Sequence, residues 1–355
     1  MNADPYSELI KLFIMQEFPT GFHCDSTAVL DLVTEAIVAS GQTRYGPRPS
    51  PESLVEIRKI LSHYITQSRP IPFMTPWGSE KPDGSGVDIA ELMALKTIIS
   101  LNGRVSPYYP PGVQVSIRLE DLSAPHLFHW RMDEARIEAE RYTTGLVNLV
   151  KVLNLNSYIF PTPESSYGVD EDRFNATADE MLPVFIKAVT FPGEKQPELE
   201  KLGWQGGISP SLVNHYMTSY DKMYPGKLDS FKLNQLARYF SASLTRKKLG
   251  FTGALKEWDN KYLQLSFIKH PGGPVSPTRI HYRTIPSSIT SNHLPPWRAK
   301  GYLCIDETHA TAKLASYNEH REYNPYVFSF ERDGLVVPVQ ADYLLCGGET
   351  SNKDN

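Results

Sequence analysis

Three short stretches of this 355-residue chain carry side chains of the types and spacing that chemistry needs. The first, Thr75-Pro-Trp-Gly-Ser-Glu-Lys-Pro82, offers an aromatic wall in Trp77 and a cation in Lys81, and it runs on to Asp88 and Glu91. Those two stand in the D-x-x-E relation of a capping box, so a helix starts there, and the free N–H groups of a helix start can hold a phosphate or carboxylate. In the second, Arg118-Leu-Glu120-Asp121, one cation and two carboxylates follow an alternating segment. The third begins at His270-Pro-Gly-Gly273 and continues to Arg279, His281 and Arg283. Period two puts those last three on one face, a cationic ladder suited to the same anions. Each stretch also has a plain structural use: Trp77 as core, Glu120-Asp121 as the cap of the next turn, and the Arg/His ladder as a solvated sheet edge.

The elements that must position these residues alternate. Ile71 to Met74 is expected as a short buried strand, residues 75–87 as a loop, and a helix from Asp88. Val113, Val115, Ile117 and Leu119 alternate with polar residues and predict a strand. A helix over about 133–153 and a strand over 157–160 continue the alternation, the pattern of a parallel sheet in an α/β protein. In such sheets ligands bind beyond the carboxyl ends of the strands, which is where Trp77, Lys81, Glu120 and Asp121 fall. Before this unit lies a helical lead-in, with two helices over about 5–45 and a third over 51–64 begun by Ser50. Residues 168–250 read as mostly helical. In the last of these helices Phe231, Leu233, Leu236, Phe240 and Leu244 mark an apolar face, Gly250 a C-cap, and Arg246-Lys247-Lys248 a run of cations that suits the helix dipole. The last hundred residues are expected as strands at 262–268, 279–283 and 302–305, and as a hairpin of 326–330 with 335–339 turned by Asp333-Gly334. The expectation is one α/β domain over 1–345 with an antiparallel C-terminal extension, a subdivision falling near 165, and a disordered tail over 346–355.

Bulk properties narrow the function classes. Hydrophobic residues are 41% and charged residues 21% of the chain, and no apolar run approaches the roughly 20 residues of a membrane span. The N-terminus carries Asp and Glu among its apolar residues, unlike a secretory signal. Cys24, Cys304 and Cys346 form no C-x-x-C pair, so a disulfide framework or zinc ribbon is not indicated and a reducing, cytoplasmic setting is expected. A net charge of −4 gives no global attraction to nucleic acid. His126 and His129 lack a further ligand at metal spacing, and no metal or other cofactor is expected. Neither G-x-G-x-x-G after a strand, nor a P-loop, nor G-x-S-x-G occurs, which sets aside dinucleotide binding, nucleotide hydrolysis and the common hydrolase elbow.

The order of segments "RPIPFM", a lysine loop, "DIAELMAL", "YYPPGVQVSI" with an acidic turn, "YTTGLVNLVKVL", "YLQLSFIKHP" and "LPPWRAKG" resembles the isocyanide (isonitrile) synthase and dityrosine-biosynthesis family over most of residues 50–305. The resemblance implies a Rossmann-like fold. It also implies an enzyme of secondary metabolism that acts on the amino group of an amino acid, using the carbonyl carbon of ribulose 5-phosphate. Such a reaction needs a phosphate clamp, a base for the ammonium and a group for the amino-acid carboxylate. By position, Lys81, Glu120 and Asp121 are then the catalytic residues. Trp77, Asp88, Glu91 and Arg118 hold substrate, and His270, Arg279 and Arg283 form a second anion-binding wall. The loop departs from the family's Lys-Ser-x-Asn, and the acidic turn reads Leu-Glu-Asp rather than Ser-Asp-Gly. A second reading therefore keeps the scaffold for an arginine-containing cyclodipeptide synthase fed by aminoacyl-tRNA. There Glu91, Glu120 and Asp121 would bind a guanidinium, while Arg246-Lys247-Lys248, Arg298 and Lys300 would contact tRNA phosphate. A third reading is a non-catalytic binding protein on the same fold.

Overall fold

The computed structural model describes residues 26–38, 49–78, 86–123, 132–168, 170–204, 207–223, 226–249, 262–267, 278–281, 302–306, 311–315, 326–330 and 336–340. Helices α1 (Ser26–Val38) and α2 (Pro51–Thr66) form the lead-in. The start of α2 is capped by Ser50, whose side chain accepts from Ser53 N, with Pro51 in the first turn. Strand β1 (Ile71–Trp77), helix α3 (Ile89–Val105), strand β2 (Val113–Leu119), helix α4 (Met132–Val152) and strand β3 (Ile159–Pro163) follow in alternation. Four helices come next: α5 (Glu171–Thr190), α6 (Pro197–Leu202), α7 (Pro210–Met223) and α8 (Asp229–Lys248). After them β4 (Leu263–Ser266) and β5 (Arg279–His281) return to the first sheet.

That sheet has five strands in the order β3-β2-β1-β4-β5, all parallel. It is the α/β, Rossmann-like arrangement, with the strand order reversing between β1 and β4. The first two of the strands expected in the C-terminal antiparallel extension, 262–268 and 279–283, instead supply β4 and β5 as parallel members of the main sheet. The antiparallel extension consists of β6 (Tyr302–Asp306), β7 (Thr311–Ala315), β8 (Tyr326–Phe330) and β9 (Val336–Gln340), in the order β7-β6-β8-β9. The expected hairpin is present as β8 and β9, with Tyr326 opposite Gln340 and Phe330 opposite Val336. The N-terminal helix before residue 26, the Gly250 cap, the Asp333-Gly334 turn and the tail lie outside the described residues.

Strand β1 runs three residues further than its sequence suggests. Thr75, Pro76 and Trp77 stay in register with Ile117, Arg118 and Leu119. Two prolines are tolerated because of where they point. Ile71 N donates to Gly112 O at 3.0 Å and Trp77 O accepts from Glu120 N at 2.7 Å, so the odd-numbered residues address β2. Pro72 and Pro76 face the other way, toward β4, which pairs with β1 only at Phe73 and Met74. Strand β3, which carries Pro161 and Pro163, is an edge of the sheet, where a missing donor breaks nothing.

Apolar side chains gather in two cores. One surrounds the sheet and includes Phe73, Trp77, Leu95, Val115, Ile117 and Leu146. The other lies among α5 to α8 around Phe185, Tyr220, Leu236 and Phe240. Among the described residues a smaller group is formed by Leu122, Phe174 and Ala242, with Leu249 against it.

The entry to β2 is a tight fit at Gly112, whose φ is +62° and whose Cβ, if present, would lie 2.5 Å from Asn102 Oδ1. That same oxygen accepts from Val113 N at 3.1 Å. Gly112→Ala is expected to cost at least about 2 kcal/mol in urea denaturation, from left-handed strain and the displaced asparagine together. At Gly86, where φ is +72° and no atom lies within 4 Å, the same change should cost about 1 kcal/mol. Equal costs at the two sites would show that the Asn102 contact does not matter.

Candidate functional site

At the carboxyl end of β1 a chain of hydrogen bonds runs through the interior. Trp77 Nε1 donates to the Tyr142 hydroxyl at 2.8 Å, and that hydroxyl donates to Glu91 Oε1 at 2.8 Å. Glu91 Oε2 accepts from Asp88 N at 2.8 Å, while Asp88 Oδ1 accepts from Ala90 N at 2.7 Å, completing the capping box the sequence predicted. All four side chains are buried. Burial, and after it the Glu91 carboxylate, hold the Tyr142 hydroxyl well above its ordinary pKa, so it stays a neutral donor. The Trp77 ring also meets Phe267 edge-on, with centroids 5.5 Å apart. Trp77 and Asp88 flank residues 79–85, so this chain of bonds fixes both ends of the lysine loop.

At the carboxyl ends of β2 and β3 four charges come together. Glu164, in the turn after β3, is fully buried. Arg246 Nε lies 3.0 Å from each of its carboxylate oxygens, and Arg118 Nε lies 3.2 Å from Oε1. Glu120 completes the set, 3.8 Å from Arg118 Nη2 and 3.5 Å from Arg246 Nη1. Two carboxylates thus balance two guanidinium groups. Burial pushes the Glu164 carboxyl up to about 7, although Arg246 and Arg118 pull it back toward the ionised form. On Arg246 burial acts downward, but Glu120 and Glu164 outweigh it and hold the guanidinium charged. Beside this group Asp121 accepts from Ser165 N at 3.2 Å and from the Ser165 hydroxyl. Burial raises the Asp121 carboxyl as well, against those two hydrogen bonds. The bond from Glu120 N to Trp77 O ties the charged group to the buried chain.

The structure therefore gathers six of the ten expected site residues in two adjoining groups, Trp77, Asp88 and Glu91 in one and Arg118, Glu120 and Asp121 in the other. Arg279 stands apart on β5, half-buried, where its Nε donates to Gln264 Oε1 at 3.1 Å. Of the expected ladder, Arg279 and His281 lie on β5. Lys81, His270 and Arg283, like His126, His129, Arg298 and Lys300, lie outside the described residues. Arg246 was expected to close a helix, complementing its dipole or meeting RNA, and it does stand in the last turn of α8. It is interior, however, with its charge engaged by Glu120 and Glu164, and only Lys247 and Lys248 of that run are exposed. Tyr142, Glu164 and Ser165 were not foreseen. Glu164 could have been, since it follows a strand of the parallel sheet. Among the described residues no three His, Cys, Asp or Glu side chains cluster as a metal site, and no helix is long and apolar enough to cross a membrane.

Two measurements test these groups. Tyr142→Phe removes the hydroxyl that Trp77 Nε1 and Glu91 Oε1 share and should cost about 2–4 kcal/mol of stability; a loss below about 0.5 kcal/mol would mean the chain is not formed. Glu164 has its pKa raised from 4.5 to about 7 on folding, so its contribution is fully present below pH 4.5 and lost as pH rises through 7. Relative to Glu164→Gln, the wild-type protein should lose about 3 kcal/mol between pH 4 and 8. A difference that stays constant with pH would show an unshifted carboxylate.

No protein-family model matches the sequence, and no curated protein matches it. Among solved structures, the PvcA protein from Pseudomonas aeruginosa matches with a TM-score of 0.53 and 14% identity, over 83% of this chain and 94% of that one. Tyrosyl-tRNA synthetase from Archaeoglobus fulgidus matches with a TM-score of 0.37 and 15% identity, over 84% of this chain and 90% of that one. Tryptophanyl-tRNA synthetase from Aeropyrum pernix matches with a TM-score of 0.30 and 14% identity, over 73% of this chain and 53% of that one. The first of these likenesses is one of fold.

Proposed function

We propose that this protein is an enzyme of specialised metabolism that acts on the amino group of an amino acid, in the manner of an isocyanide synthase. The observation that carries the reading is the group Arg118–Glu120–Glu164–Arg246 at the carboxyl ends of β2 and β3. It puts a carboxyl poised near neutrality and two fixed cations where parallel α/β sheets take their ligands. An amino acid arrives as an ammonium, which must give up a proton before its nitrogen can attack a carbonyl. Glu120, whose side chain keeps 17% of its surface exposed, is the member of the group open to substrate, and it is the base in this reading. Glu164 lies behind it and communicates through Arg246. Asp121, its carboxyl raised and held by Ser165, is a second proton carrier. Lys81 and Arg118 hold the anionic groups of amino acid and sugar phosphate. The order of sequence segments and the fold shared with PvcA support the same reading.

The arginine cyclodipeptide reading draws less support. Glu91 is occupied by the cap and Tyr142, Glu120 already lies against two arginines, and Arg246 is not available to tRNA. Mass spectrometry separates these readings. Protein incubated with amino acids and ribulose 5-phosphate should give an isocyanide or its formamide. A cyclic dipeptide made from charged tRNA and abolished by ribonuclease would favour the other synthase, and no product in either mixture a binding protein. Glu120→Gln and Lys81→Ala are expected to lower product formation at least ~100-fold while the variants remain folded; wild-type rates in both would remove these residues from the site.

A further inference from the structure

Helix α8 presents a second stripe beside its apolar one. Leu236, Phe240 and Leu244 enter the helical core. Gln235, Tyr239, Ala242 and Arg246 recur at i, i+4, i+7 and i+11 and so share a different face. At one end of that face Arg246 reaches Glu120 and Glu164. Ala242 packs with Leu122 and Phe174, at the seam beyond β2. The Tyr239 ring packs against those of Tyr216 and Phe240, with centroids 5.5 and 5.8 Å away. The stripe therefore runs back along α8 from the charged group at the end of β2.

At the other end of the stripe Gln235 is 1% exposed, and among the described residues neither its Nε2 nor its Oε1 has a hydrogen-bond partner. One turn on, half-buried Arg238 has a buried Nε that is likewise unbonded, and among the described residues no carboxylate pairs with it. A glutamine amide brings two donors and an acceptor, and burying them unmet costs stability that a leucine of similar volume would not. A guanidinium without a counter-charge beside it has the complementary need. The side chains at i and i+3 are neighbours on the helix surface, so one small ligand can meet both. An oxyanion accepts from Arg238 and from Gln235 Nε2. A hydroxyl or amino hydrogen on the same molecule is taken by Gln235 Oε1.

We infer that Gln235 and Arg238 form a binding subsite for a small carboxylate or phosphate that carries a neighbouring hydroxyl or amino group. The subsite rests on the reading of the strand ends as the substrate site for its location, but its test requires no turnover. Calorimetric titration of the full chain uses inorganic phosphate in one arm and L-tyrosine in the other. Saturable binding of phosphate assigns the sugar-phosphate end to this subsite, and saturable binding of tyrosine alone assigns the amino-acid carboxylate. In either case Gln235→Leu and Arg238→Met should each weaken binding at least about tenfold. Ligand-free Gln235→Leu should melt no lower than the wild type, because it removes the unmet groups. The inference is overturned if neither probe binds at millimolar concentration, or if both variants bind as the wild type does. A sharply lowered melting temperature in Gln235→Leu with affinity retained in Arg238→Met would also overturn it, marking the amide as held by water. A protein that binds but yields no product leaves this subsite standing and counts against the isocyanide reaction alone.

Discussion

A carboxylate with no access to water has to be answered by charge, and Glu164 is answered twice. Removing an ion from water costs several kcal/mol even after the protein relaxes, and the cost is recovered only where geometry and neutralisation are both good. Here the Arg246 side chain from α8 and the Arg118 side chain from β2 converge on one carboxyl, and Glu120 restores neutrality. Beside Arg246, Ala242 of the same helix packs with Leu122 and Phe174. Arg246 thus ties α8 by charge to the ends of β2 and β3. Loss of one partner leaves the other three uncompensated, which is why the position of that helix and the proton affinity of the site are one property.

The buried chain from Trp77 to Asp88 and the charged group differ in kind. Trp77, Tyr142 and Glu91 exchange neutral or singly charged hydrogen bonds wholly inside the core, joining β1, α3 and α4. Their bonds give rigidity to the place where the chain leaves the sheet. The charged group, one main-chain bond away, keeps part of Glu120 in contact with solvent. A rigid frame beside a set of groups whose protonation is finely balanced is the arrangement that proton-transfer chemistry requires.

What could be read from the sequence was local. The capping box of α3 is written in Asp88 and Glu91 alone, β2 announces itself by its alternation, and β8 and β9 by theirs. Prolines hid the rest. Thr-Pro-Trp reads as a turn, so β1 was expected to stop at Met74, and Pro-Thr-Pro concealed the end of β3 and with it the place of Glu164. Arg246 had a sufficient local explanation as a last-turn cation, and only the fold shows the carboxylate 82 residues away that claims it. Tyr142 gave no signal, because its partners are 65 and 51 residues distant. Gln235 and Arg238 sit in a helix whose apolar face was recognised. Their unbonded polar atoms become visible only once the fold buries them.

Pro76 returns the account to the main chain. Its nitrogen carries no hydrogen, and it is aimed at β4 in the half of the strand nearest the site. The ladder between β1 and β4 accordingly closes at Met74 and goes no further, at the one place in the sheet where strand order reverses. Any other residue at this position would bring a donor and invite the two strands to zip toward their carboxyl ends. The end of that ladder is thus set by an atom that is missing from the backbone, a feature that pH, salt and the side chains around it do not change.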